Sequence, residues 1–198
     1  ALAVWGNRNW RTSVTGTTAE YLEIRTYTVA EGRTFTEGES SAGQPVCVLG
    51  ATVRKELFGS DRALGESIRV DKLSCEVIGV LTAKGQSGMG QDQDDVVLVP
   101  LRAAQRRLAG NNDVGGIYVT VASGRSTTRV KAQIEELLRE RRNIVAGAED
   151  DFNVRDMAEI AQTVSSATGA LTALLGAIAA VSLLVGGIGI MNIMLVNV

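Results

Sequence analysis

The chain has 198 residues, with 20 basic and 22 acidic side chains, no histidine, a net charge of −2 and a pI of about 5.3. Without histidine, the Ser-His-Asp and Cys-His catalytic constellations and histidine-based zinc or haem sites are excluded. The small acidic excess argues against a nucleic-acid-binding surface, which concentrates basic charge on one face.

Near the N-terminus, Thr17-Thr18-Ala19-Glu20 has the spacing of a capping box. It predicts a short helix over residues 18–25, between strand-like runs at 11–15 and 27–35. The Glu-, Gly- and Ser-rich stretch 36–44 is expected to be a loop and a boundary. Trp5, Trp10 and Tyr21 are aromatic packing candidates and carry no chemistry in this reading.

From Pro45 the texture changes to short apolar runs separated by turns: PVCVLG, a helix-like Ala51 to Phe58 ending at Gly59, then SIRV, SCEVIGVL and DVVLVPL. Blocks of Val, Ile and Leu bounded by Gly, Asp and Ser are the signature of a small β-rich unit, placed at 45–101. Cys47 and Cys75 each fall in such a run. Two buried thiols are the favoured reading, because free cysteine is among the most buried residue types. A disulfide is the alternative.

The loop Lys84 to Asp95, KGQSGMGQDQDD, lacks the Lys-Ser or Lys-Thr and following helix of a phosphate-binding loop. Asp92, Asp94 and Asp95 offer carboxylates to calcium, but not at EF-hand spacing. A mobile contact loop is the favoured role, with Gln86, Ser87, Gly88, Met89, Gly90, Gln91 and Asp92 as partner-contact candidates. A passive connection is the other reading.

A short helix is expected at 101–109 and a turn-rich loop at 110–116. A second strand-helix-strand set follows, with strands at 117–122 and 152–155. Between them, Val130, Ile134, Leu137 and Leu138 recur on a helical period within 126–143. Two such units predict an α+β fold: a split ferredoxin-like βαβ layer (1–44 and 102–156) with the β-rich subdomain (45–101) inserted.

Every charged residue lies at or before Glu159, so 160–198 is uncharged. Asp156 is placed to cap a helix that starts at Met157 and meets no proline. Its first turns, 157–168, form a stalk. The remainder, 169–198, is long enough at about 1.5 Å per residue to cross a hydrocarbon core of about 30 Å. The flank at 148–168 carries five acids and one base, Arg155, whereas cytoplasmic flanks favour Lys and Arg. The globular part is therefore expected outside the cytoplasm. Small residues at spacings that let helices approach, Ala173, Gly176, Ala177 and Ala180, with the cluster Gly186, Gly187 and Gly189, are packing candidates. The bland alternative is the ordinary abundance of Ala and Gly in membrane helices. Asn192 is a candidate for an interhelical hydrogen bond. The chain begins without Met, shows no signal peptide and stops inside an apolar run, so it is expected to be a piece of a longer protein.

The segments VTGTTAEYLEIRTYTVAEGRTFTEGE, VCVLGATVRKELFG and IGVLTAKGQSGMGQDQDDVVLVPL, and above all LGAIAAVSLLVGGIGIMNIMLV, resemble the permeases of MacB-type ABC transporters. The resemblance spans Val14 to Val198. It implies a bacterial inner-membrane protein with a periplasmic domain between its first two membrane helices. It further implies mechanotransmission, in which ATP-driven movement in the cytoplasm drives periplasmic substrate through an adaptor (a membrane fusion protein) and an outer-membrane channel. The implied partners are a second permease copy in a homodimer and an ATP-binding domain or subunit, where ATP and Mg would reside. No Walker motif occurs here, and no catalytic residue or cofactor is expected in this chain. Lipoprotein release or peptide export is the runner-up within the superfamily. A membrane-anchored extracytoplasmic sensor or adhesion module is the reading from a different class, and an enzyme built on paired carboxylates finds no supporting spacing.

Overall fold

The computed structural model describes residues 1–88, 90–145 and 147–196, with only the backbone described at 189–190 and 192–196. It divides into two units, Ala1–Thr120 and Val121–Val198.

The first unit is an eight-stranded mixed sheet with helices on both faces. Its strands are β1 (Leu2–Trp5), β2 (Arg8–Arg11), β3 (Ser13–Thr17), β4 (Val29–Gly32), β5 (Val46–Leu49), β6 (Ser67–Val70), β7 (Leu73–Leu81) and β8 (Val96–Pro100). They run in the order β2-β1-β6-β7-β5-β8-β3, and β4 pairs with the distal part of β7. The pairs β3/β8 and β5/β7 are parallel. The other pairs are antiparallel.

β5 and β8 are buried along their whole length, and successive side chains point to opposite faces. Cys47, Leu49, Val97 and Val99 join one core, covered by α3 (Ala51–Phe58) through Val53, Leu57 and Phe58. Val46, Val48, Val96 and Leu98 join the other, with Phe35 and with Leu22 of α1 (Glu20–Ile24). This two-sided burial explains the unbroken apolar runs in the sequence. In β7 the parity changes: Leu73, Cys75 and Val77 face the first core, but so does Val80. The register shift opposite Cys47 and Val48 skips Ile78 and accounts for the switch.

Strands from both sides of Pro45 share this sheet, since β3 and β4 precede it and pair with β8 and β7. Close approach fixes Gly16, where a Cβ would lie 2.3 Å from that of Ala104 in α4 (Leu101–Ala104). Cys47 and Cys75 are joined as a disulfide between β5 and β7, Cα–Cα 5.8 Å, which corrects the favoured reading of two separate thiols. The register places Cys47 opposite Val77, two residues beyond Cys75, and the two Cα atoms still lie within bridging distance across the neighbouring strands.

Two local expectations change. Thr17 closes β3 and its hydroxyl turns to the Thr18 carbonyl, so the cap position of α1 falls to Ala19 without a side-chain bond. The working capping box lies at Thr36 and Glu39, where a loop was expected. It opens α2 (Glu37–Ala42), a helix with no buried residue, held by its cap.

The second unit contains α5 (Thr127–Arg141) and α6 (Met157–Val196). Both match the helices expected from periodicity and from the uncharged tail. Asp156 accepts a hydrogen bond from the Ala158 amide at 2.8 Å, as its capping role requires. The strands expected at 117–122 and 152–155 do not form. Among the described residues no strand edge pairs with either segment, and Ile117 and Val119 stay 76% and 55% exposed.

Candidate functional site

The segment that separates β7 from β8 is braced at its base by polar bonds. Asp94, 6% exposed, accepts the backbone amides of Lys84 and Gly85, each at 2.8 Å. Asp92 receives the Thr52 hydroxyl at 2.8 Å through Oδ2 and the Asp94 amide at 2.8 Å through Oδ1. Asp95 takes the Trp10 indole N–H at 2.9 Å, and its carbonyl accepts from the Ser13 hydroxyl at 2.7 Å. The three carboxylates considered for calcium therefore each serve separate protein donors. Among the described residues no group of three or more such ligands converges.

The same base gathers aromatic rings. Lys84 lies 4.7 Å from the Tyr27 ring centroid, and its ammonium donates to the Arg25 carbonyl at 2.7 Å. Tyr27 donates its hydroxyl to the Gln93 carbonyl at 3.2 Å. Tyr21 meets Tyr118 edge-on at 5.3 Å, and the Arg25 guanidinium lies 5.7 Å from the Tyr118 ring centroid. Tyr27 thus sits at the loop's root, and Tyr21 and Tyr118 extend the cluster away from it. Burial pushes the Tyr21 hydroxyl above its ordinary pKa, more than the Arg25 charge draws it down.

Beyond the base, the tip closes on itself. Gln86 bridges Asp92, the Ser87 amide donates to the Gln91 carbonyl at 2.7 Å, and the Gly90 amide donates to the Ser87 carbonyl at 2.8 Å. Of the contact candidates, Gln86, Ser87, Gly88, Gly90, Gln91 and Asp92 therefore occupy one hairpin-like projection. Met89 lies outside the described residues. Asp92 differs from the others in being committed to the base through Thr52. Sequence reasoning missed Asp94, Trp10, Thr52 and Lys84 as the anchors: Trp10 and Thr52 reach the loop from other elements, Lys84 reaches Arg25 and Tyr27, and Asp94 meets the Lys84 and Gly85 amides only once the loop folds back. The one local signal was the run of acids at 92, 94 and 95.

The small residues Ala173, Gly176, Ala177, Ala180, Gly186 and Gly187 lie on the exposed surface of α6, and a Cβ at Gly176, Gly186 or Gly187 would meet nothing within 4 Å. Gly189 and Asn192 belong to the α6 backbone, and their side-chain surroundings lie outside the described residues. Over Met157–Ile188 the helix is long and apolar enough to cross a membrane, with a mean hydropathy of 2.3 and no share of its most apolar stretch buried.

Both the sequence and the fold have counterparts among known proteins. Residues 2–137 match the MacB-like periplasmic core domain family, and the chain belongs to that family. It is 44% identical over 97% of its length to the macrolide export ATP-binding/permease protein MacB of Bdellovibrio bacteriovorus, and 45% identical over 98% to that of Chlorobium luteolum. It spans 30% and 29% of those relatives' own lengths. The periplasmic region of MacB from Actinobacillus actinomycetemcomitans shares the fold: the TM-score is 0.69 at 22% identity, covering 83% of this chain and 71% of that one. The extracellular domain of the noncanonic ABC-type transporter YknZ from Gram-positive bacteria superposes with a TM-score of 0.61 at 21% identity, covering 72% and 71%. The chain is thus a MacB-like periplasmic domain of an ABC permease, continued by a candidate transmembrane helix.

Proposed function

We propose that this chain is the periplasmic and second transmembrane segment of an inner-membrane MacB-like exporter and acts by mechanotransmission. ATP is bound and hydrolysed, with Mg, on a nucleotide-binding domain outside this segment. The resulting movement reaches the periplasmic domain through α6 and drives substrate into an adaptor and an outer-membrane channel. A second permease copy completes the transporter, packing through the small residues of α6. The names of the relatives make a macrolide the first cargo to test.

One observation carries the reading. α6 is a single 40-residue helix without interruption, about 60 Å long at 1.5 Å per residue. Its charged start is tied to α5: Lys131 pairs with Glu159 at 3.2 Å, and Thr127 hydrogen-bonds the Asp156 carboxylate, which holds that group below its usual pKa. A continuous helix transmits axial and tilting motion because its backbone hydrogen bonds leave no compliant joint. The hairpin-like projection formed by Gln86, Ser87, Gly88, Gly90, Gln91 and Asp92, braced at its root, is the surface we assign to the adaptor.

The test breaks the relay and leaves both ends intact. In the whole transporter, Gln162→Pro removes a backbone bond and kinks the helix, at a cost of about 3 kcal/mol. Export should fail while basal ATP hydrolysis persists. Unchanged export would overturn the relay. Photo-cross-linking from position 87 in intact membranes should trap the adaptor, and an absence of adduct at every tip position would remove the contact assignment.

A further inference from the structure

The helix that follows β8 does not end as an ordinary α-helix. After Leu101–Ala104 it widens into a π-turn at Gln105–Ala109. Such turns are rare and concentrate at functional sites, because the wider turn displaces side chains from regular helical positions. Here Gln105 is turned toward the loop that follows. Its amide donates to the Asn112 carbonyl at 2.9 Å and to that of Asp113 at 3.4 Å.

The fold-back closes a surface cavity of about 350 Å³ lined by Arg102, Gln105, Arg106 and Asn112. Two guanidinium groups one turn apart repel each other unless an anion or carboxylate lies near. Among the described residues neither arginine takes part in an ion pair. Asp113, whose carbonyl Gln105 bonds, turns its carboxylate to the Asn111 side-chain amide at 2.9 Å and forms no ion pair with either arginine. One nitrogen of Arg106 donates to the Ala42 carbonyl at the end of α2, at 3.3 Å. That bond fixes the guanidinium while its remaining N–H groups stay available. Arg102 makes no hydrogen bond through its side chain among the described residues.

We infer that the Arg102–Arg106 cavity binds a small oxyanion, the phosphate or carboxylate group of a small molecule. The fork of a guanidinium matches both groups in geometry, and charge-assisted bonds to either are the stronger kind. The volume lies at the small end of ligand pockets, which suits one such group and a short substituent. This site is separate from the hairpin and does not depend on the transport reading.

Titration of inorganic phosphate, and separately of acetate, into the full chain in a neutral detergent at low salt tests it. Saturable binding of one ion per chain is expected for phosphate, acetate or both, and the stronger arm identifies the group. Arg102→Gln should weaken binding by about tenfold or more, as expected for one lost charge-assisted contact. Arg106→Lys, which keeps the charge and loses the fork, should also weaken it. Arg107→Gln, one residue outside the lining, should leave affinity unchanged. Circular dichroism and the thermal midpoint of Arg102→Gln should match the parent. If that variant were misfolded, Arg106→Lys would decide alone. The proposal is overturned if neither ion binds saturably, or if Arg107→Gln weakens binding as much as Arg102→Gln does, which would mean a diffuse surface potential.

Discussion

Glu39 binds Arg33 through both carboxylate oxygens, each at 2.8 Å, and reaches back to the Thr36 amide at 2.7 Å. Arg33 first, then the Thr36 amide, draws its pKa down from 4.5 to about 2. Because the folded value is depressed, the stabilisation is complete above about pH 4.5 and is lost as pH falls toward 2. Glu39→Gln should lower stability at neutral pH by roughly 1 kcal/mol, given a half-exposed arginine partner and a kept cap. Its stability should fall less steeply than the parent's as pH drops from 4.5 to 2. Equal slopes for the two proteins in that window would refute the assignment. Asp94 makes a second residue-scale case. Asparagine there offers one carbonyl oxygen where two backbone amides need acceptors, so Asp94→Asn should cost about 1–3 kcal/mol. Hydrogen exchange should quicken at Lys84 and Gly85, and unchanged protection would show that the carboxylate does not brace the loop. At this scale the sequence misled as often as it helped. Thr17-x-x-Glu20 and Thr36-x-x-Glu39 have the same spacing, and only the second works, because Arg33 and a free helix start lie beside it while Thr17 is claimed by β3.

Among elements, legibility followed burial. β5, β6, β7, β8 and α3 fall within a residue of the boundaries expected from their apolar runs, since each is fixed by a core that demands its pattern. α5 and α6 were readable from period and from the absence of charge. The segments at 117–122 and 152–155 have strand-like composition without a partner edge, and composition alone cannot reveal that. Instead Tyr118 packs on Tyr21 near Arg25. Register between distant strands was equally hidden, and with it the disulfide. The bridge closes a loop with 28-residue separation, for which chain entropy predicts about 3–4 kcal/mol. The double variant Cys47→Ala, Cys75→Ala should lose stability of that order in urea titration. Both sulfurs are buried, so the parent should resist dithiothreitol until it unfolds. A stability unaffected by removing both would contradict a structural role.

For the whole molecule, the informative contrast is between a charged, disulfide-bridged sheet unit and an uncharged helix. Disulfides persist in oxidising compartments, which agrees with the acidic flank before α6 in placing the sheet outside the cytoplasm. Ser87→Cys, on the exposed hairpin, should react with a membrane-impermeant maleimide in intact spheroplasts, whereas labelling only after lysis would invert the topology. The candidate site was partly legible at this level. The loop stood out by composition and the membrane segment by its lack of charge, but the cavity of Arg102 and Arg106 depends on a π-turn that no local pattern announced.

The parallel pairing of β3 with β8 has a consequence for biosynthesis. Ser13 meets Asp95 across 82 residues of sequence, and β1 likewise waits for β6. At about 5–20 residues per second, β3 and the edge of β1 that β2 leaves open emerge several seconds before β8 and β6 exist. During that interval the nascent sheet presents unpaired strand edges to its surroundings, so a holding chaperone has its window on this unit before residue 100 emerges.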